Sequence, residues 1–357
     1  MTLILSNEEV EAALSMADCL AVSEDAYKAL GRNEAATGVR GEILSPTGRA
    51  DGLHSLLTMA GVIPGFGIGA VRINSDILTW PETAEGLRRE KVPAAPGGRY
   101  VGLVLLFSTE TGEPLAIYPD GIIQRMRVGA ACGLAAKKLA RSDARILAIL
   151  GAGWQAGGQA MAAACVRDLQ EIRCFSPTPA RREAFATEWS ERLGIEVRAT
   201  ANLEDAIAGA DIVACATNSM QPVLRPDLLE PGMHVSSVKR LELPPETVAR
   251  ADVVFTHVTG AESRITRVEG ADLAEDTDRA KARMTTAINQ AEMPTLPDLL
   301  LDRAPGRTSD TQITMFLNYA GLGFQFAATG AHIIEKAKGM GLGREIPTDW
   351  LTSDLPS

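Results

Sequence analysis

The stretch "ARILAILGAGWQAGGQA" at residues 144–160 decides the fold. Its apolar run "ILAIL" is followed by glycines and alanines that lead into a helix-forming segment. A short apolar run bounded by glycine is typical of a buried strand. The order strand, glycine turn, helix predicts a βαβ unit of a Rossmann dinucleotide-binding domain. The alternative is that the glycines only form a tight turn in an α/β domain that binds no nucleotide.

The glycine cluster matches the pattern G-x-G-x-x-G/A, with Gly151, Gly153 and Ala156 at its three fixed positions. The first glycine permits the tight turn, and the second lets the backbone approach a pyrophosphate. The third, small residue lets the helix pack closely on the strand. The helix N-terminus then offers N–H groups to the phosphates. We predict that Trp154 and Gln155, which open the helix, belong to the same cofactor site.

The end of the second predicted strand, in "EIRCFSPTPARRE", governs the choice of cofactor. NAD-binding domains carry an acidic residue there for the ribose 2'-hydroxyl. This chain has Ser176, followed by Thr178, Arg181 and Arg182, and hydroxyl and guanidinium groups suit a 2'-phosphate. The pattern favours NADP(H), with NAD(H) possible; alternatively, both arginines lie on a solvated helix face. Thr217, after a later strand, is also predicted to contact the cofactor.

The organisation of the chain changes at residue 144. From there strands alternate with helices, which predicts a parallel sheet of α/β class. Before it, "GVRGEIL", "GLHSLLTMAGVI" and "FGIGAVRIN" predict strands of a mixed or antiparallel sheet. Residues 76–99 are rich in proline, glycine and basic residues, and we expect a surface excursion at a pocket mouth or a subunit contact. Residues 311–343 predict one long apolar helix, with Asp310 as its N-cap.

Composition excludes several classes of protein. The 357 residues carry a formal net charge of -10, which argues against a nucleic-acid binder. The five cysteines are scattered without a C-x-x-C pair, so we expect reduced thiols, no disulfide framework and no metal site. We find no signal-peptide pattern and no apolar run near the roughly 20 residues that cross a bilayer. A cytoplasmic protein with no membrane partner is expected.

Five segments, taken in order, resemble the ornithine cyclodeaminase/mu-crystallin family over nearly the whole chain. They are "RMRVGAACGLAAKKLAR", "ILGAGWQAGGQAMAA", "DIVACATNSMQPVL", "GMHVSS" and "MFLNYAGLGFQFAATGAHIIEKAKGMGLG". The resemblance implies a Rossmann domain inserted into an α+β domain that binds substrate and pairs two subunits. We therefore expect residues 129–309 to form the Rossmann domain. Residues 1–128 and 310–357 are expected to form the substrate-binding and dimerisation domain of a homodimer.

The resemblance also implies a site for a substrate carboxylate. Arg40 and Arg127 match family arginines that bind it, and Arg72 replaces a family lysine. Guanidinium groups bind carboxylates through paired hydrogen bonds. Because arginine does not readily release a proton near neutral pH, we expect Arg72 to bind or stabilise charge. His54 is the candidate proton donor to the product nitrogen, which makes Arg72 and His54 the candidate catalytic residues. Ordinary ion pairs and a structural histidine are the alternatives.

A second departure from the family follows "GMHV". Cyclodeaminases carry a catalytic aspartate in that segment, where this chain has Lys239 and Arg240. The excess of cationic groups favours an anionic substrate, such as the imino dicarboxylate iminosuccinate or an opine-type precursor. We predict an NAD(P)H-dependent reductase of an α-imino acid, or the reverse amino-acid dehydrogenase. The alternatives are an ornithine cyclodeaminase-type lyase and a non-catalytic, NADP-dependent ligand-binding protein similar to mu-crystallin.

Overall fold

The computed structural model describes residues 1–83, 86–261, 263–272, 288–319 and 321–354. In these ranges the strands are β1 (Thr2–Ile4), β2 (Ala36–Thr37), β3 (Arg40–Pro46), β4 (Gly52–Ile63), β5 (Ile68–Thr79), β6 (Glu82–Thr83), β7 (Gly86–Leu87), β8 (Glu90–Val92), β9 (Val101–Ser108), β10 (Pro114–Pro119), β11 (Ile146–Leu150), β12 (Glu171–Phe175), β13 (Glu196–Ala199), β14 (Ile212–Cys215), β15 (His234–Ser237), β16 (Val253–Thr256), β17 (Ser263–Arg267), β18 (Thr314–Leu317) and β19 (Arg344–Ile346).

The helices in the same ranges are α1 (Asn7–Ala13), α2 (Met16–Gly31), α3 (Gly121–Leu139), α4 (Trp154–Val166), α5 (Pro179–Leu193), α6 (Leu203–Ile207), α7 (Pro245–Val248), α8 (Leu296–Leu300) and α9 (Phe324–Met340). Ser6 and Glu9 form a capping box at the start of α1. Within the described residues, no helix is both long and apolar enough to cross a membrane.

A seven-stranded sheet, here called the Rossmann sheet, contains the glycine cluster. Its order is β13-β12-β11-β14-β15-β18-β16, and every pairing is parallel. Strands β14, β15 and β18 are buried along their whole length, as expected for a parallel sheet covered on both faces. The predicted α/β class with a Rossmann dinucleotide-binding domain is confirmed.

A ten-stranded mixed sheet, here called the large sheet, forms the second layer. Its main order is β17-β3-β4-β5-β9-β10-β1-β19, and the long strands β4 and β5 pair antiparallel, with Met59 opposite Arg72. Because side chains alternate along a strand, Met59, Arg72 and their same-face neighbours form one face, here called the inner face. Helix α9 packs on it, since Gly61 of β4 lies against the backbone of Phe324.

Two segments cross the expected domain limits. The predicted helix at 311–343 is wrong in its first part, because residues 314–317 form β18 between β15 and β16 of the Rossmann sheet. The helix begins only at Phe324 with Gly323 as its N-cap, so Asp310 is not its cap. The expected limit at residue 310 therefore precedes a Rossmann strand. Strand β17, from inside the expected Rossmann segment, pairs with β3 of the large sheet.

Helices α3 and α4 meet at a contact between glycines. A Cβ on Gly129 would collide with the backbone of Gly158, and one on Gly158 would lie 2.6 Å from the carbonyl oxygen of Arg125. A side chain at either position would force the two helices apart. Helix α3 spans the expected limit at residue 128 without interruption and links the two sheets through this contact.

Candidate active site

A groove lies where the glycine cluster joins β11 to α4. Gly151 has a φ of +113°, and a Cβ there would collide with the carbonyl oxygen of Ala216. Glycine avoids both the strain and the collision. Gly153 caps α4 without a side-chain hydrogen bond and has open space around its Cβ position. The N–H of Ala156 donates to Gly153 at 3.1 Å, and those of Trp154 and Gln155 lie beside a groove of about 460 Å³, an arrangement suited to phosphate.

Most of the predicted cofactor residues come together along this groove. Its lining includes Gly151, Gly153, Trp154, Gln155, Ser176, Arg181 and Thr217. Ala156 does not line it and lies fully buried in the core under α4, as its predicted packing role requires. Thr178 does not line the groove either. It is the N-cap residue of α5. Arg182 donates from Nη1 to the carbonyl oxygen of Ser176 at 2.9 Å.

The groove opens into a larger cleft of about 920 Å³ between the inner face of the large sheet and the ends of β14 and β15. Groove and cleft share the lining residues Gln155, Thr217, Asn218 and Val238. One elongated molecule in the groove can therefore meet a second, smaller molecule in the cleft. This is the arrangement expected of a dinucleotide and its substrate.

The cleft is strongly cationic, although the chain as a whole carries a net charge of -10. The basic residues of its described lining are Arg40, Arg72, Arg89, Lys91, Lys239, Arg240 and Arg267, and the acidic ones are Glu42 and Asp76. Seven positive and two negative groups leave a formal excess of five positive charges. A cleft with one sign of charge concentrates ligands of the opposite sign. We therefore expect an anionic ligand.

Arg72 lies on the inner face of β5 and is only 3% exposed. Its Nε and Nη2 both lie 2.6 Å from Oδ2 of Asp120, the N-cap residue of α3. Asn74 donates to the same oxygen at 3.2 Å. The ion pair neutralises the buried charge and fixes the plane of the guanidinium at the cleft wall.

Arg127 has no such counter-charge among the described residues. It is 5% exposed, and its Nη1 donates to Oε1 of Gln325 at 2.9 Å. Burial and the neighbouring Arg72 lower the pKa of Arg127 to about 9, so the group stays charged at neutral pH. It does not line the cleft directly but lies behind Gly321, whose Cβ position is 3.5 Å from Nη2. The guanidinium carbons of Arg72 and Arg127 lie 5.4 and 5.2 Å from one ring centroid, that of Phe326.

Arg40 also lines the cleft, but at its partly exposed side, and its predicted contact with the substrate carboxylate stays a prediction. Its Nη2 lies 3.8 Å from Glu42, which also accepts from Arg89 at 3.1 Å and from Ser55 at 2.8 Å. Burial lowers the pKa of Arg40. The carboxylate of Glu42 therefore organises a pair of guanidinium groups at the cleft entrance.

The hypothesis that His54 donates a proton is wrong. His54 pairs with Ile77 on the face of the large sheet that points away from the cleft, whereas its neighbour Ser55 lines the cleft. Its ring nitrogens contact Ser45 at 3.4 Å and Ser75 at 3.0 Å on that outer face. The parity of β4 thus separates His54 from Arg72 by the thickness of the sheet.

The segment 86–92 holds site residues that the sequence did not identify one by one. Leu87 accepts from the backbone of Met220 at 3.3 Å, so the segment reaches the loop after β14. Arg88 lines the dinucleotide groove, whereas Arg89 and Lys91 line the cleft. The run of basic residues inside a proline- and glycine-rich stretch was the available signal. The segment therefore contributes to the pocket mouth.

Glu242 was also missed. It is fully buried, and its Oε1 accepts from the N and Oγ1 of Thr217 at 2.6 and 2.9 Å. Its Oε2 accepts from Ser237 Oγ at 2.8 Å and from the backbone N–H groups of Val238 and Lys239 at 3.0 Å. Burial raises the pKa of Glu242, while these hydrogen bonds oppose the rise. One carboxylate thus ties together the two loops that separate groove from cleft. In the sequence, the indication of a buried carboxylate was a glutamate between two leucines, Leu241 and Leu243.

A solved structure with the same fold is Delta(1)-pyrroline-2-carboxylate reductase of Thermococcus litoralis in complex with NADH and L-proline. It is 27% identical with a TM-score of 0.78, over 97% of this chain and 100% of that one. Delta(1)-pyrroline-2-carboxylate reductase of Bacillus cereus is 31% identical over 286 residues, 75% of this chain and 84% of the relative. Alanine dehydrogenase of Archaeoglobus fulgidus is 26% identical over 97% of this chain and 98% of the relative. Fold and site define a nicotinamide-dinucleotide-dependent oxidoreductase.

The ornithine cyclodeaminase/mu-crystallin family profile matches residues 91–341. The chain belongs to this family, and the resemblance predicted from its sequence segments is confirmed. The match includes the helix that carries Arg127 and most of the dinucleotide groove.

Proposed function

We propose that this protein is an NAD(P)H-dependent reductase that converts an α-imino acid into an amino acid. The observation that carries the proposal is Arg127, a buried cation without a carboxylate partner in the described residues, beside Arg72. An unpaired buried charge is costly, and a ligand anion supplies the missing partner. The similarity to the Delta(1)-pyrroline-2-carboxylate reductases of Bacillus cereus and Thermococcus litoralis supports an imino acid as the substrate.

The groove fits a dinucleotide on its own geometry. A side chain at Gly151 would collide with the backbone of Ala216, and the space around Gly153 is open. Because no side chain caps α4, backbone N–H groups lie beside this open channel. When bound there, a nicotinamide dinucleotide supplies the hydride for the C=N carbon. The reaction consumes one NAD(P)H and one proton, forms a C–H and an N–H bond, and leaves NAD(P)+.

The residues of the chain would bind and orient the substrate. Arg127 and Arg72 would hold the α-carboxylate, with Arg72 kept in place by Asp120. Because the imino carbon is bonded to the carboxylate, holding the carboxylate would also orient the imino carbon for hydride transfer. Thr217, held by Glu242, lies where groove meets cleft and would limit how far the two bound molecules approach.

The charge of the cleft supports a finer proposal, that the substrate is an imino dicarboxylate such as iminosuccinate. Arg40 and Arg89 at the entrance offer guanidinium groups for a second carboxylate. A cyclodeaminase activity is disfavoured, because Lys239 and Arg240 line the cleft and would repel the cationic end of ornithine.

NADP(H) is the proposed cofactor. Ser176 and Arg181 line the same groove, so a hydroxyl and a guanidinium group accompany the ribose end. Measuring kcat/KM with NADPH and with NADH tests this preference. A clear preference for NADH would reject it, without affecting the proposed reductase activity.

A steady-state assay tests the function itself. We expect NAD(P)H oxidation with Δ1-pyrroline-2-carboxylate or with iminosuccinate formed from oxaloacetate and ammonium, and one amino acid formed per NAD(P)H. Release of ammonia from ornithine with no net change in cofactor would instead identify a cyclodeaminase. Tight NADP(H) binding without turnover of any imino acid would favour the ligand-binding alternative.

We also propose a homodimer through the outer face of the large sheet. That face exposes Ile43, Leu56, Val62, Val101 and Leu103, each 36–46% accessible. Contiguous apolar side chains on one face mark an interaction surface, and a two-fold dimer is the commonest solution. Light scattering at micromolar concentration should give twice the monomer mass, and Leu56→Asp with Leu103→Asp should give the monomer. A monomeric wild type would reject this proposal. The cytoplasmic location stays a prediction.

A further inference from the structure

Behind Arg127, a row of buried hydrogen bonds leads away from the cleft. Arg127 Nη1 donates to Gln325 Oε1 at 2.9 Å, and Gln325 Nε2 donates to Tyr27 Oη at 2.8 Å. Tyr27 Oη in turn contacts Nε2 of His257. Arg127 and Tyr27 lie on α3 and α2, Gln325 lies on α9, and His257 follows β16. None of the four is more than 5% exposed.

The direction of the two hydrogen bonds that Gln325 makes in this row is set by chemistry. A guanidinium can only donate, so the amide oxygen of Gln325 must face Arg127 and its NH2 group must face Tyr27. The backbone N–H of Leu322 also donates to that oxygen, at 3.3 Å. Burial raises the pKa of Tyr27 well above its ordinary value, so the hydroxyl keeps its proton. Tyr27 accepts from Gln325, and its hydroxyl also contacts Nε2 of His257, the donor there being set by the tautomer of the ring.

We propose that Tyr27 and His257 are positioning residues for Arg127, and that they set the orientation in which its guanidinium receives the substrate carboxylate. The inference rests on the proposed function, because it takes Arg127 as the carboxylate anchor. With Nη1 committed to Gln325, Nη2 is directed to Gly321 at the cleft wall. The guanidinium carbon lies 5.2 Å from the ring centroid of Phe326, a contact without directional hydrogen bonds, so among the described residues the bond to Gln325 is the polar contact that orients the group.

The hydroxyl of Tyr27 thus matters beyond filling space. Without it, the NH2 group of Gln325 is left buried without its acceptor, so the native orientation of the amide loses its advantage over rotated ones. Rotation would present NH2 to the guanidinium, which cannot accept it. The consequence would be a misdirected Arg127, felt when the carboxylate binds and not when the dinucleotide binds.

Tyr27→Phe tests the inference, and Tyr118→Phe is the matched control. Tyr118 is 1% exposed and belongs to the same core cluster, and its hydroxyl has no hydrogen-bond partner among the described residues. We expect Tyr27→Phe to raise KM for the imino acid at least tenfold. The Kd for NAD(P)H, measured by the quenching of tryptophan fluorescence on titration, should change less than twofold. Tyr118→Phe should leave KM within twofold of wild type.

A second pair of variants keeps the test valid if Tyr27→Phe does not fold. His257→Phe removes the ring nitrogen that contacts Tyr27, whereas His257→Gln offers an amide group, able to donate or accept, near the position of Nε2. We expect His257→Phe to raise KM at least fivefold and His257→Gln to restore it to within threefold of wild type. Equal KM values for both His257 variants, or for Tyr27→Phe and Tyr118→Phe, would overturn the inference.

Failure of the proposed function has a different result. If Arg127→Met turns over imino acids as well as wild type does, Arg127 is not the carboxylate anchor and the function as proposed fails. If Arg127→Met abolishes turnover while Tyr27→Phe behaves like Tyr118→Phe, only the positioning role is wrong.

Discussion

Replacing Arg127 by methionine should stabilise the protein and remove its activity. Burial and Arg72 lower the pKa of Arg127 from its ordinary value to about 9, which disfavours the charged form in the fold by about 5 kcal/mol. Methionine is apolar, flexible and similar in length, so it avoids that cost without leaving a large cavity. It gives up the hydrogen bond to Gln325 and the contact with Phe326, about 1–2 kcal/mol each. A net gain of about 1–3 kcal/mol remains.

Both effects are measurable on the same preparation. In a chain of this length, about 1–3 kcal/mol corresponds to a rise in Tm of roughly 1–4 °C. Thermal melts without cofactor or substrate give that shift. The loss of a charge-assisted, paired contact should lower kcat/KM for the imino acid by about 2–4 kcal/mol, roughly 30- to 900-fold. The Kd for NAD(P)H should stay within a few-fold, since Arg127 does not line the dinucleotide groove.

Arg72→Met is the matched comparison, because it removes a buried arginine that does have a counter-charge. Asp120 would lose its ion pair and keep only the bond from Asn74, at a cost of about 3–5 kcal/mol. We expect Tm to fall in Arg72→Met and to rise in Arg127→Met, with activity lost in both. A lower Tm in Arg127→Met, or kcat/KM within twofold of wild type, would refute the view that Arg127 is an anion anchor.

Three further predictions follow from single side chains. His54→Ala should leave kcat/KM within twofold of wild type, since the ring lies on the outer face; a tenfold loss would restore it as a catalytic candidate. Ser176→Glu should shift the kcat/KM ratio toward NADH by at least tenfold, because a carboxylate repels a 2'-phosphate. Burial lowers the pKa of His234 to about 3, so its contribution to stability is complete above pH 6.5 and is lost as the pH falls toward 3. That loss is about 2 kcal/mol by pH 5, and His234→Leu should flatten it in pH-dependent melts; an unchanged acid slope would contradict the assignment.

The dinucleotide-binding half could be predicted from the sequence because its signals are local. A glycine turn between an apolar run and a helix depends on only about fifteen neighbouring residues. The same reasoning did not find strand β18. Its four residues are buried on both faces of a parallel sheet, so their mostly apolar sequence shows no alternation and cannot be told apart from the apolar helix that follows. Its place between β15 and β16 is a long-range pairing that no local pattern encodes.

The position of His54 shows a second limit. In "GLHSLLTMAGVI" both parities of β4 contain apolar residues, with Leu57 and Met59 on one face and Leu56 and Val62 on the other. A strand that is apolar on both faces gives no alternation from which to choose the inner one. Arg72 and Arg127 could be identified by resemblance, but the ion pair of Arg72 with Asp120 and the lack of one at Arg127 among the described residues required the structure.

The glycine contact between α3 and α4 has a consequence for hydride geometry. Helix α3 carries Arg127, the proposed carboxylate anchor, and the first turn of α4 lies against the dinucleotide groove. Under the proposed function, the backbone contact between Gly129 and Gly158 would therefore help to set the alignment of the hydride donor with the imino carbon, although neither glycine lines the groove or the cleft. Substitutions in the cleft wall can then change which substrate side chain is accepted without changing this alignment. An alanine at Gly129 or Gly158 would instead push the two helices apart and misalign hydride transfer for every substrate.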